Sequence, residues 1–425
     1  MPRSDWRRHG ILVLAGVMAC FAMGACSNDP ARMRHQDSAA RGAIPRATPT
    51  PLLIEPMASA DPDLFFTGPT IKKQMLQLIE QATDYILIDS FITRADPTSV
   101  EVLEALKRKH DAGVRVYVIS DSSSNFLNRG QEGYDYLDRA GIPNTEYNPI
   151  RLYRGLVFPV MIQRDHRKFW IIDGKKLFAG GANIYWQSLD PHAEGGNLDY
   201  MVEVESGGAA AQMIDSFVVT WNKYSDEKLR AEDFPVSGPT DPTVEIELFD
   251  QNRQLGKGDV IAGMFEDLFA MAREEVWLVQ AYTFTHAKAL RQIRGLTGRG
   301  VEVNLMLSQI NHAERHTNAA FYGIKDLLDA GAKVWMFDSG TGAMHSKSVI
   351  IDRRWVSLGS ANFNWRSSEF AEELNVFLSD ERSLDHVLGN LDDLKKRCRP
   401  VGMDEAERYR SPKYFLHWLM MQLIG

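Results

Sequence analysis

Apolar side chains recur along this chain with a helical period and then a strand-like run, and the whole succession occurs twice. Ile71, Met75, Leu78, Ile79 and Ala82 fall on one face of an amphipathic helix. Ile261, Phe265, Leu268, Phe269 and Ala272 repeat that spacing 190 residues later. A short apolar run suited to a buried strand follows each helix, Tyr85 to Phe91 and Val276 to Tyr282. A second helix then ends at Gly113 or Gly300, ahead of a second strand, Val114 to Ile119 or Val301 to Leu307. This alternation predicts an α/β fold of two similar domains, each a largely parallel or mixed sheet flanked by helices.

The segments between and around the repeats set the domain limits. Three prolines between Pro235 and Pro242 exclude a continuing helix or central strand, so 235–242 is read as a linker between domains at 61–234 and 243–400. The apolar run Tyr414 to Ile424, within a tail at 401–425, is too short to span a bilayer. It is expected to pack on its own domain, with docking at a membrane interface as the alternative. At the other end Arg3, Arg7 and Arg8 precede an apolar run from Ile11 to Ala25, the make-up of an export signal over 1–26. Gly24-Ala25-Cys26 closes that run as a bacterial lipoprotein signal does, which predicts lipidation at Cys26 and a cell-envelope, periplasm-facing location. Residues 27–60, rich in Ala, Pro, Arg, Ser and Thr, read as a tether.

Composition narrows the partners. Among 425 residues the formal charge is −8, so no global basic field supports sequence-indifferent nucleic-acid binding, and no nucleic-acid partner is expected. Beyond Cys26 only Cys398 remains, which excludes an internal disulfide in the exported chain. His192, His286, His312 and His417 sit in polar loops, at helix starts or in the apolar tail, without ligand spacing.

The chemistry lies in a pattern carried twice. His166-x-Lys168-x4-Asp173-x6-Gly180-Gly181-x-Asn183 recurs as His345-x-Lys347-x4-Asp352-x6-Gly359-Ser360-x-Asn362. The runs Phe169 to Ile172 and Val349 to Ile351 predict strands, on which each His would share a face with its Lys. Two imidazoles and two ammonium groups in one pocket suit phosphodiester cleavage: one imidazole attacks phosphorus, the other handles the proton of the alcohol, and the lysines hold phosphate oxygens. Asn183, Asn362 and Ser360 would add neutral donors, with Gly181 allowing close approach. No metal or cofactor is needed for this set, and no His/Cys cluster has zinc spacing. Asp173 and Asp352, each at a strand end before a turn, read as turn formers.

The doubled motif resembles the phospholipase D superfamily. Arg164-Asp165-His166-Arg167-Lys168, Gly180 to Ile184 and Gly359 to Ser367 are similar to the bacterial cardiolipin synthase branch. The resemblance implies two domains packed with pseudo-two-fold symmetry around one site, with no oligomer required. It implies a phosphohistidine route with His166 as nucleophile and His345 as acid/base; the sequence itself is symmetric in this respect. It also implies orienting acids at Glu373 and Asp199, although Glu372 stands beside the first, Ala371 replaces a common Asn, and Asn197 replaces a common Trp. The expected substrate is a glycerophospholipid at a membrane surface, with phosphatidyl transfer to an alcohol or hydrolysis by water as outcomes. A nuclease using the same residues is the remaining alternative.

Overall fold

The computed structural model describes residues 56–123, 131–150, 162–310 and 314–424. The export segment, Cys26, most of the tether, Tyr153, Phe158 and His312 lie outside the described residues. After a short strand β1 (Met57–Ser59), the first half contributes β2 (Asp63–Thr67), β3 (Tyr85–Ser90), β4 (Arg115–Asp121) and β5 (Asn144–Tyr147). It continues with β6 (Lys168–Ile172), β7 (Lys176–Gly180) and β8 (Leu198–Glu205). The second half contributes β9 (Val244–Gln251), β10 (Glu275–Gln280), β11 (Glu302–Ser308) and β12 (Lys333–Phe337). It ends with β13 (Lys347–Ile351), β14 (Trp355–Gly359), β15 (Glu373–Leu378) and β16 (Cys398–Pro400).

The fold is α/β with two mixed sheets flanked by helices. The first sheet runs β2-β8-β7-β6-β3-β4-β5, and the second β1-β9-β15-β14-β13-β10-β11-β12-β16. Without its two edge strands the second sheet has the order of the first, strand for strand. Among the described strands the parallel pairs are β3 with β4 and β4 with β5 in the first sheet, and β10 with β11 and β11 with β12 in the second. One difference from the sequence reading concerns the tether: Met57–Ser59 pairs with Ile246–Val244 at the edge of the second-half sheet. Its three residues carry too little apolar signal to predict a strand, and the free edge of β9 supplies the hydrogen bonds.

Alternation along the motif strands sorts the core. Phe169 and Ile171 of β6 and Ile350 of β13 point into one cluster between the sheets, together with the helices Gly207–Tyr224 and Glu381–Lys396. Trp170 and Ile172 face the helices Gly68–Gln81 and Val100–Asp111 on the outer side of the first sheet. Val349 and Ile351 face Val260–Met271 and its neighbours on the outer side of the second. Each such side chain, wholly removed from water, contributes roughly 1.5–3 kcal/mol, so the motif strands are fixed from both faces.

The two motif aspartates end these strands in the same way. Asp173, in the left-handed region at φ 51°, accepts hydrogen bonds from the amides of Thr83, Asp84 and Tyr85 at 2.8–2.9 Å. Asp352, at φ 50°, accepts from Arg273, Glu274 and Glu275 at 2.8–2.9 Å. Those amides open β3 and β10, so each aspartate joins the motif hairpin to the neighbouring strand. Burial opposes ionisation of Asp173, but the amide donors outweigh it and hold the carboxyl below its ordinary range.

Candidate active site

Lys168 pairs with Ser90 and Lys347 with Gln280, so both motifs lie at the carboxyl ends of the parallel strands β3 and β10. That end of an open α/β sheet is where ligands bind. The strands begin at the lysines rather than at the histidines. The reason is that the histidine backbones pair across the domain boundary: His166 N–H donates to Glu372 O at 2.9 Å, and His345 N–H to Leu198 O at 2.7 Å. Glu372 N–H returns a bond to Arg164 O and Leu198 N–H to Ala343 O, both 2.9 Å. Two short parallel bridges, Asp165 with Glu372 and Leu198 with Met344, thus cross between the halves at matching positions.

These bridges place each acid beside the histidine of the other half. His166 Nδ1 lies 3.1 Å from Glu373 Oε2, and His345 Nδ1 lies 2.7 Å from Asp199 Oδ2. A carboxylate on Nδ1 fixes the ring and leaves Nε2 for chemistry. The imidazole side chains keep 10% and 15% of their surface exposed, against 1% and 3% for the acids, so only the rings are reachable.

The lysines complete an unequal pair of sites. Lys347 Nζ lies 3.2 Å from Asp199 Oδ2 and 2.7 Å from His345 Nδ1, and it also donates to His345 O. Lys168 Nζ donates to His166 O and stands 5.1 Å from the centroid of Phe91, whose ring meets His166 edge-on at 5.1 Å. Phe91 was read from the sequence only as a strand end; its position one residue beyond β3 is what brings it to the imidazole.

Burial dominates the electrostatics. It lowers His166 to about 4, helped by Lys168 and, across the boundary, Lys347, against the pull of Glu373. It lowers His345 to about 4 as well, helped by Lys347 and Lys168 against Asp199. Lys168 falls to about 7 through burial and the repulsion of Lys347, with Glu373 and Asp199 opposing. Burial and repulsion thus keep both imidazoles neutral at neutral pH. Burial disfavours the Glu373 carboxylate too, but His166, Lys168 and the Ser360 hydroxyl hold it down at about 2. Lys347 and His345 likewise hold Asp199 below its usual range in spite of burial. Each lysine is felt by the histidine of the opposite half, so the two motifs share one electrostatic pocket.

Two of the four expected phosphate ligands, Ser360 and Gly181, sit differently from the sequence reading. Ser360 Oγ donates to Glu373 Oε2 at 2.5 Å, so its hydroxyl steadies the acid and is not directed to a phosphate. Gly181, its counterpart, is space for Asp199: a Cβ there would lie 2.3 Å from Asp199 Oδ1. Asn183 Oδ1 accepts from Ile92 N–H at 3.0 Å, which fixes the amide with Nδ2 on the other side. Asn362 is buried, and its Oδ1 has no hydrogen-bond partner among the described residues. No residue pattern signals these differences, because each depends on which acid lies behind which glycine or serine.

A buried network missed by the sequence reading secures the first motif. Arg167, wholly buried, pairs with Asp165 at 2.7 Å, Asp89 at 3.1 Å and Asp250 at 3.4 Å, and donates to Ser216 Oγ at 2.6 Å. Asp250 belongs to β9 of the other half. The second motif has Ser346 at the matching position, and that departure from the repeat was the available signal. Glu372, the neighbour weighed as an alternative acid, accepts instead from Tyr147 Oη, Gln254 Nε2 and Arg253 N, all at 2.8 Å. Cys398 is half-buried, and burial pushes its thiol up to about 12, which leaves it unreactive. Among the described residues no group of three or more His, Cys, Asp and Glu could hold a metal ion.

Comparison with known proteins identifies the family. The family described as cardiolipin synthase, PLD-like domain, matches residues 75–221 and 265–394, one stretch in each half. Cardiolipin synthase 1 of Staphylococcus epidermidis is 26% identical over 334 residues, covering 75% of this chain and 64% of its own length. Cardiolipin synthase 2 of Bacillus anthracis is 25% identical over 348 residues, covering 79% of this chain and 65% of its own. The chain therefore spans just under two thirds of the length of these curated relatives. Among solved structures, a phosphatidylserine synthase of Haemophilus influenzae aligns with a TM-score of 0.66 at 14% identity, over 86% of this chain and 94% of that one. At that identity the likeness concerns the fold.

Proposed function

Since this chain belongs to the cardiolipin synthase, PLD-like domain family, we propose that it is a phosphatidyltransferase acting on glycerophospholipids through a phosphohistidine. The observation that carries the reading is the reciprocal pairing of His166 with Glu373 and His345 with Asp199 beside two lysines in one pocket. Nε2 of His166 attacks phosphorus as the bond to the leaving alkoxide breaks, and His345 gives that alkoxide its proton. In the second step the acceptor oxygen attacks phosphorus, its proton passes to His345, and the phosphorus–nitrogen bond breaks. His345 takes its proton from water as substrate binds: an anionic phosphodiester beside the ring favours the imidazolium and offsets the burial and lysine repulsion that keep it neutral in the empty site. Lys168 and Lys347 stabilise charge on the non-bridging oxygens, with Asn183 and Asn362 as neutral donors.

Transfer to an alcohol is favoured over hydrolysis on the strength of the cardiolipin synthase relatives. The same reading places the enzyme at the cell envelope, held through Cys26 and the 27–60 segment, with the two catalytic domains at 61–234 and 243–400. Incubation with phosphatidylglycerol vesicles tests it: cardiolipin plus glycerol supports transfer, and phosphatidate plus glycerol supports hydrolysis. Absence of turnover of any phospholipid overturns both. Rapid quench followed by peptide mass spectrometry is expected to find a phosphatidyl group, joined through phosphorus to nitrogen, on the peptide containing His166.

A further inference from the structure

The helix Pro412–Ile424 contains one charged residue, Lys413, and no carboxylate, in a chain that has 56 of them. It packs along Glu314–Asp329 and is fixed there by polar ties: Asn318 Nδ2 to His417 Nδ1 at 3.0 Å, and Gln422 Nε2 to Thr285 O at 2.9 Å. Its outer side is apolar as well. Phe415 is 43% and Leu416 50% exposed, where a helix stabilised by packing alone would present polar residues. Phe415 stacks on Trp418 with centroids 5.9 Å apart, and Tyr322 closes the group at 5.6 and 5.3 Å. Tyrosine and tryptophan are the side chains that settle at the boundary between lipid and water. Thirteen residues extend about 20 Å as a helix, short of the roughly 30 Å hydrocarbon core. Among the described residues no helix is long and apolar enough to cross a membrane.

Behind this face an aromatic cluster runs into the fold. Trp418 and Met421 pack with Phe284 in a small separate core, Phe284 stacks on Tyr282 at 5.0 Å and 21°, and Tyr282 meets His316 at 5.0 Å. Tyr282 lies two residues past the β10 position paired with Lys347. Trp365, three residues past Asn362, donates from Nε1 to Met421 O at 3.5 Å, which seats the helix against the loop of the second motif.

We infer that the Phe415–Leu416 face of this helix seats on a phospholipid bilayer, which sets the second motif beside the membrane surface. The inference rests on the phospholipid reading above. A lipid bilayer fits better than a second protein copy because the helix offers no carboxylate to repel anionic headgroups and its exposed aromatics adjoin the site of lipid chemistry.

The test uses the full chain and the variant Phe415→Glu/Leu416→Glu, both at exposed positions outside the catalytic set. Turnover of phosphatidylglycerol in vesicles is expected to fall at least 10-fold, while turnover of a short-chain phosphatidylglycerol below its micellar concentration stays within 2-fold. Equal loss on both substrates, or no loss on vesicles, overturns the inference. So does a change from dimer to monomer with vesicle turnover unchanged, which would assign the face to a second copy. A polarity-sensitive dye on Leu416→Cys, compared with dye-treated unsubstituted chain, separates the two readings. A blue shift on phosphatidylglycerol vesicles without turnover of either substrate supports docking and overturns only the enzymatic reading, whereas no shift overturns docking itself.

Discussion

His345 Nδ1 and Asp199 Oδ2 are 2.7 Å apart although they belong to different halves of the chain. His166 and Glu373, separated by 207 positions, make the reverse exchange. An acid on Nδ1 sets tautomer and orientation, so replacing it by its amide leaves the shape and removes the acceptor charge. Asp199→Asn and Glu373→Gln are each expected to lower kcat about 10²- to 10⁴-fold with a small change in KM. Steady-state kinetics on phosphatidylglycerol checks this, and a pure KM effect for both would show that the acids serve binding instead.

Gly181 faces the Asp199 carboxylate so closely that a methyl group has no room. Gly181→Ala must push Asp199 away from His345, so it is expected to reduce kcat at least 10-fold and to cost about 1–3 kcal/mol of stability. At the matching position Ser360→Ala removes the donor to Glu373 Oε2 and the acceptor of Leu374 N–H, and is expected to cost about 10-fold in kcat and about 1–3 kcal/mol of stability. Activity and thermal unfolding measured together decide; unaffected activity in Gly181→Ala would show that Asp199 is not needed where it sits.

The motif aspartates predict the opposite signature. Asp173 and Asp352 each hold three consecutive backbone amides and touch neither histidine. Alanine at either position is expected to cost roughly 2–3 kcal/mol by leaving those donors unpaired. The kcat of the folded fraction should stay within a few-fold of wild type. Denaturant unfolding paired with active-site titration tests this, and a large kcat loss in a fully folded variant would assign them to the chemistry.

The titration of the pocket gives a pH profile. His166 must be neutral to attack, a condition met as pH rises through about 4. Lys168 must be charged to hold phosphate, and in the free enzyme its charge is lost as pH rises through about 7. The profile of kcat/KM is therefore expected to peak near pH 4, where His166 is neutral and His345 still holds its proton, to slope down above that as His345 discharges, and to steepen near pH 7 as Lys168 does. Lys168→Arg, charged throughout, should move the alkaline limb upward; an unmoved limb would mean that another group sets it.

Much of this was legible in the residues. The apolar periods gave the repeated helices and strands, the doubled motif gave both histidines and both lysines, and the family resemblance implied the acids Asp199 and Glu373. The exchange of acids between halves was not legible, because a carboxylate's sequence position does not say which imidazole it will meet. Nor were the tasks of Ser360 and Gly181, which follow from that exchange. Met57–Ser59 escaped because three residues carry no period, and their strand forms only where β9 offers an edge. Arg167 escaped because a buried arginine is recognisable only once Asp89, Asp165 and Asp250 surround it.

The crossed backbone bridges at Asp165–Glu372 and Leu198–Met344 make the duplicated enzyme indivisible. Either half expressed by itself would own an imidazole and a lysine yet lack the counter-charge that aims the ring, so two inert fragments should regain turnover only when mixed. The same interlock binds the copies in evolution, since drift at an acid in one is felt at the histidine of its sibling.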